Sequence, residues 1–117
     1  MKYDIYRLKE TEDNAPHRFM SSAYLQLTNS WPPKPDAYEK IYEGTVRAFS
    51  STEALEGLLI KFELDHPKGF PIPLMSLGDI VILTETEKPG AHFCDPIGFT
   101  EVPEFYAAIT SKEESHG

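Results

Sequence analysis

Asp79-Ile80-Val81-Ile82-Leu83-Thr84 decides the fold class. Four consecutive apolar residues, three of them β-branched, leave the run no polar face to turn toward water. That pattern predicts a central strand covered on both sides. Ser76-Leu77-Gly78 turns the chain into it, and Glu85 to Gly90 follows as a solvated loop ending in the turn signal Pro89-Gly90. Ala91-His92-Phe93-Cys94-Asp95 then returns as the antiparallel partner.

Working toward the N-terminus, Pro67, Gly69, Pro71 and Pro73 keep the preceding segment extended and irregular. Before it, Ser50-Ser51-Thr52-Glu53 reads as a capping box. A serine hydroxyl accepts from an orphan N–H, and the glutamate reaches back to the cap. Leu55, Leu58, Leu59 and Phe62 follow at i, i+3, i+4 and i+7, one apolar stripe on a helix from about Ser51 to Leu64. Gly57 weakens that helix by about 1 kcal/mol and points to a close neighbour at its turn. Tyr38 to Val46 suits a strand, with Gly44 as a bend or bulge near its end. Trp31-Pro32-Pro33-Lys34-Pro35 stops a short helix that runs over Ser21–Leu27 with Ser21 as its cap. Tyr3-Asp4-Ile5-Tyr6-Arg7-Leu8 alternates and is rich in β-formers, so it reads as the first strand. At the other end, Pro103 in a first-turn position ahead of Phe105, Tyr106 and Ile109 predicts a short last helix.

Strands and helices mix without βαβ regularity, so the class is α+β. The expectation is a small antiparallel or mixed sheet of three to four strands, with two to three helices packed on it. At 117 residues the chain is the size of one domain, set here at residues 1–110, with 111–117 a disordered polar tail. No internal repeat or separating linker is present.

Composition narrows the function. The chain is 40% hydrophobic and 26% charged, ordinary for a water-soluble domain, and no run approaches the roughly 20 apolar residues of a membrane helix. Met1-Lys2-Tyr3-Asp4 has no apolar signal core, and the single cysteine, Cys94, cannot pair internally, so the expected compartment is the cytoplasm. Eleven basic against nineteen acidic side chains give a net charge of −8. The imbalance falls in residues 50–117, with four basic and twelve acidic side chains. There is no basic stripe to displace counterions from phosphates, which excludes direct nucleic-acid binding, and the same sign opposes docking on an anionic membrane. An acidic mimic of DNA, acting against restriction, is an alternative. It needs those acids aligned at duplex spacing, denser than this half provides.

Signatures for nucleophile elbows, phosphate loops, zinc helices and dinucleotide folds are missing, and no cofactor is implied. His92 and Cys94, two apart on a predicted strand, share a face. With Asp65-His66 or Asp95 they have the residue types of a metal site or an imidazole-activated thiol. The structural reading makes Cys94 a small core residue and His92 a strand-edge one. His66, before Pro67, sits where a helix end would accept a positive charge. Asp79 after Gly78 is a candidate carboxylate, or an acceptor of backbone N–H groups that fixes the start of a strand. Asp95-Pro96-Ile97-Gly98 reads as a turn. Pro32 and Pro35 satisfy P-x-x-P beside Trp31, and either that loop is a ligand or Trp31 packs on its own domain. Trp31, Tyr38 and Tyr42 form the candidate interaction surface.

The second half resembles the YodL-like domain, a small bacterial family. The resemblance is carried by His66-Pro67 after a helix and by Met75-Ser76-Leu77-Gly78-Asp79-Ile80-Val81-Ile82-Leu83. It continues through Phe93-Cys94-Asp95-Pro96-Ile97-Gly98-Phe99-Thr100-Glu101-Val102-Pro103-Glu104-Phe105. The opening strand and Tyr38 to Gly44 follow the same layout, so it spans about Tyr3 to Tyr106. Cys94-Asp95-Pro96 departs from the aliphatic-Asp-Ser usual there, which makes a thiol role no family trait. The resemblance implies an accessory domain of Firmicutes and related gut bacteria, often carried on mobile genetic elements and often joined to larger proteins. It brings no catalytic residues. His66, Pro67, Ser76, Gly78, Asp79, Asp95, Gly98, Phe99, Pro103 and Phe105 are the motif positions, each with a structural explanation as turn, cap or core.

The function expected from these readings is a non-enzymatic protein–protein interaction module with an unidentified protein partner. The rival is a small enzyme or ligand-binding domain using His66, Asp79, His92 and Asp95. A pocket where two of those groups converge would favour the rival.

Overall fold

The computed structural model of the chain describes residues 1–64 and 74–115. Five strands, β1 (Lys2–Leu8), β2 (Tyr38–Thr45), β3 (Ile80–Leu83), β4 (Gly90–Cys94) and β5 (Phe99–Glu101), form one sheet in the order β2-β1-β3-β4-β5. Every neighbouring pair is antiparallel. Three helices accompany them: α1 (Ser22–Leu27), α2 (Ser51–Leu64) and α3 (Pro103–Ser115). The α+β class stands, but the sheet has one strand more than the three to four expected. The addition is β5, whose three residues are too few to show an alternation.

β3 is central and buried along its whole length, as its unbroken apolar run requires. Its Val81 and Leu83 join Tyr3 and Ile5 of β1 on the first face, under Ala54, Leu55, Leu58 and Phe62 of α2. Its Ile80 and Ile82 join Ala91 and Phe93 of β4 on the second face, against Leu25 of α1 and Phe105 of α3. The sheet is therefore the middle of three layers. Since β2 and β3 both run antiparallel to β1, they are parallel to each other. α2 is the crossover between them, passing over β1, a single βαβ unit in a chain whose sequence showed no βαβ regularity.

The core stripe of α2 differs by one position from the sequence reading. Ala54, Leu58 and Phe62 are at most 1% exposed, whereas Leu59 lies 36% exposed on the flank of the helix. Each large apolar side chain fully buried there is worth about 1.5–3 kcal/mol before entropy. Gly57 is not forced by crowding, because a Cβ there would meet Val46 at an ordinary 3.7 Å. At the N-terminus of α2 the Ser50 hydroxyl accepts from the Glu53 N–H at 3.1 Å, the forward half of the predicted box. Glu87, from the β3–β4 loop, accepts the N–H and hydroxyl of Ser51 at 3.1 and 3.0 Å. Its carboxylate thereby meets the positive end of the helix.

The irregularity in β2 falls at Ile41 instead of Gly44. The pairing steps from Ile5↔Tyr42 to Tyr6↔Lys40, so Ile41 is an extra residue. Tyr38 and Tyr42, four apart, would share a face in a regular strand. The bulge turns Tyr42 to the first face, edge-on to Phe62, and Tyr38 to the second, edge-on to Phe105. Gly44 serves a different purpose: a Cβ there would lie 2.7 Å from the Tyr3 hydroxyl oxygen.

α1 begins as predicted, with the Ser21 hydroxyl accepting from the Tyr24 N–H. α3 runs through Ser115, so the domain limit set at residue 110 falls inside it. No helix among the described residues is long and apolar enough to cross a membrane.

Candidate functional site

Asp79 sits one residue before β3, on the first face, where the register brings it level with Arg7 of β1. Arg7 donates from Nε to Oδ1 at 2.8 Å and from Nη2 to Oδ2 at 2.7 Å, a two-pronged ion pair. The Ser76 N–H adds a third bond at 2.9 Å. Asp79 is fully buried and Arg7 nearly so. Burial pushes the Asp79 carboxyl upward, and Arg7 with the N–H groups of Ser76 and Met75 pulls against it. Gly78 takes φ +92°, a conformation side chains resist, which shapes the turn that delivers Asp79.

Asp95 leaves the end of β4 toward the second layer. It accepts the Ser22 N–H at 2.8 Å, the Ser22 hydroxyl at 2.7 Å and the Thr100 hydroxyl, tying the first turn of α1 to the β4–β5 turn. Burial alone would raise this carboxyl, but the Ser22 N–H and the Thr100 and Ser22 hydroxyls outweigh it and the net shift is downward. Gly98, at φ +73°, closes that turn, and its carbonyl accepts the Asp95 N–H. A carboxyl held below its unfolded value stabilises the fold above that value, and the contribution is lost as pH falls through the folded one. Acidification from pH 6 to pH 3 should therefore destabilise the parent chain more than Asp95→Asn, measured by urea unfolding at each pH. Equal losses would deny Asp95 this role.

Cys94 is buried, with its thiol 3.5 Å from the Met75 carbonyl. Burial pushes it up to about 11, helped by Asp79 and Asp95 nearby. Such a thiol is neither nucleophile nor ligand at neutral pH. A thiol reagent should leave the native chain unlabelled over minutes and modify one sulfur per chain once denaturant is added. Immediate labelling of native protein would contradict the burial.

His92 faces α2 from β4, opposite Glu101 of β5, and is 5% exposed. Its Nε2 is buried with no hydrogen-bond partner. Burial lowers its pKa, and Glu101 only partly offsets this, so the ring is neutral near pH 7.

Two open depressions flank the His92–Glu101 pair. One, of about 320 Å³, lies between α2 and β5, with Leu55, Glu56, Leu59 and Phe99 in its lining. The other, of about 370 Å³, lies where the chain passes from β5 to α3, beside Lys88, Pro103 and Tyr106. Neither is lined by Asp79 or Asp95. The cavity at Asp79 holds only about 10 Å³. The structure thus does not bring Asp79, His92 and Asp95 around one space, and His66 and Pro67 lie outside the described residues. Among the described residues no three His, Cys, Asp or Glu side chains gather as a metal centre would need.

The aromatic surface expected from Trp31, Tyr38 and Tyr42 is corrected. Tyr38 is 6% exposed inside the second core, since the Ile41 bulge turns it there. Tyr42 is half-buried against Tyr3 and Phe62. Trp31 packs edge-on to Phe93 at 5.2 Å between centroids, as the intramolecular reading of that loop holds. Of the other motif positions, Phe105 is core, Pro103 opens α3, and Phe99 lies half-buried at the sheet edge.

Sequence reading gave no part in a site to Arg7, Glu101 or Glu56, and it placed Leu59 in the core stripe of α2. Arg7 carried a signal: in an alternating strand it falls on the same face as Tyr3 and Ile5, and an inward arginine requires an acid. Glu101 and Glu56 carried none, because only the placement of β5 sets them beside one groove.

The family model of the YodL-like domain matches residues 2–105. No curated protein and no solved structure matches the chain.

Proposed function

Because the chain belongs to the YodL-like domain family, we propose that it is a non-enzymatic protein-interaction module, an accessory to larger bacterial proteins of mobile elements, working from the cytoplasm. One observation carries this reading: of the two edge strands, β2 and β5, β5 is the one that borders the groove under α2, and among the described residues no further strand pairs with it. The carboxylates and thiol with the residue types for chemistry are occupied elsewhere, Asp79 by Arg7, Asp95 by Ser22 and Thr100, and Cys94 by burial. A sheet edge offers unpaired backbone groups that another chain can use. At its tip Ile97 is 95% exposed, next to Gly98 in the groove lining.

The test is site-specific photocrosslinking in the native host, with a benzophenone amino acid in place of Ile97, Leu27 or Phe49. All three side chains are more than four-fifths exposed, and Leu27 lies in α1, in the opposite layer. The reading predicts a discrete protein adduct from position 97 that position 27 does not give. Adducts from position 27 alone, or from none of the three, would overturn it.

A further inference from the structure

We propose that the free edge of β5 accepts an extended segment of a partner protein as a sixth, antiparallel strand, with a basic residue of that segment opposite Glu101 and an apolar residue opposite Phe99. This rests on the interaction-module reading and names the chemistry of what is bound.

In an antiparallel ladder, successive residues of a strand bond alternately to one side and the other. The Asp95 N–H donates to the Gly98 carbonyl, and the Val102 N–H donates to the Ala91 carbonyl. Thr100, paired with Phe93 midway between them, also bonds toward β4. The N–H and C=O groups of Phe99 and Glu101 therefore face away from β4, at the open edge. They give an added strand two bonding positions, two residues apart. The side chains of the same two residues project to the first face, toward α2, where both line the groove.

Leu55, Leu59 and Phe99 supply apolar wall, and Glu56 and Glu101 supply charge. Neither glutamate forms an ion pair with Lys or Arg among the described residues. The neighbouring His92 is buried with an unpartnered Nε2 and, being neutral near pH 7, does not compensate them. The wider half of the chain, residues 50–117, is short of cations. A residue opposite Phe99 meets apolar surface, and one opposite Glu101 meets a carboxylate that has no direct ion pair among the described residues, Lys88 lining only the depression on its other side. Directly opposed cross-strand pairs are the unit that sets such preferences. In antiparallel order the partner reads basic, any residue, apolar.

A random dodecamer display library panned on the intact chain tests this, followed by nitrogen-15 chemical-shift mapping with the enriched peptides. The expected result is enrichment of Lys or Arg two positions before an aliphatic residue, with shifts concentrated at Phe99–Glu101 and around Leu59. Glu101→Lys should weaken those peptides at least tenfold and, in a second panning, select Asp or Glu at the same position. Glu101 is exposed, so this variant folds independently of the outcome. Enrichment without charge preference, helical patterns, shifts centred elsewhere or no enriched peptide would overturn the proposal. If the position 97 adduct forms in the host while the library fails, the module reading stands and only the stated occupant falls. If that adduct is absent, both fall.

Discussion

Arg7→Ala should lower the unfolding free energy by about 3–5 kcal/mol, because it leaves a buried carboxylate without its counter-charge. Asp79 is fully buried, and Arg7 grips both of its carboxylate oxygens. The pair joins β1 to the start of β3, so its loss loosens the two strands on which both cores are built. Asp79→Ala should cost a similar amount by stranding the guanidinium, and it also removes the acceptor of the Ser76 N–H. The double variant Arg7→Met with Asp79→Leu should be more stable than either single variant, since apolar replacement of a whole buried pair is often close to neutral. Urea midpoints at unchanged m-value report these differences. A single-variant loss below about 1 kcal/mol would mean the pair is wet and peripheral, and Asp79 would again be available for chemistry.

Phe105→Ala should cost about 3–5 kcal/mol, the usual range for emptying a buried phenylalanine site. Phe105 is wholly buried, and Tyr6 and Tyr38 meet it edge-on at 5.7 and 5.3 Å. It is also the residue through which the first turns of α3 dock on the second face. Its removal should raise amide exchange throughout α3 while leaving α2, in the opposite layer, near its original protection. Phe105→Leu, which keeps most of the volume, should lose less than half as much. A small loss for the alanine variant, with α3 unaffected, would contradict the three-layer arrangement.

Much of the frame was legible because it is local. The run Ile80–Leu83 has no polar face, and that fact alone requires a layer on each side. The apolar period of α2, the Ser21 cap and the turn at Gly78 are likewise settled within a few residues of chain. What stayed hidden depends on pairing over distance. Asp79 could be read as an acceptor at the head of a strand, but its partner lies 72 residues away and is known only once β1 and β3 are in register. The Asp95 bond to Ser22 spans 73 residues and leaves no trace in either segment. The Ile41 bulge has no glycine or proline to announce it, so the glycine at position 44 drew the reading instead. β5 carries two polar residues in three, and without it neither the groove nor the opposition of His92 and Glu101 exists. Leu59 shows the limit of periodicity. A 3.6-residue repeat admits two adjacent stripes, and only packing chooses the one containing Ala54.

In the function proposed here, residues with reactive side chains hold the sheet together while its β5 edge binds the partner. Residue-resolved amide exchange of the chain, alone and with the protein crosslinked from position 97, tests this most directly. The outward-facing amides of Phe99 and Glu101 should exchange rapidly in the free chain and slow at least tenfold on binding, with Thr100 protected throughout. Slowing confined to the loop at residues 31–35 or to α1, with Phe99 and Glu101 unchanged, would contradict it.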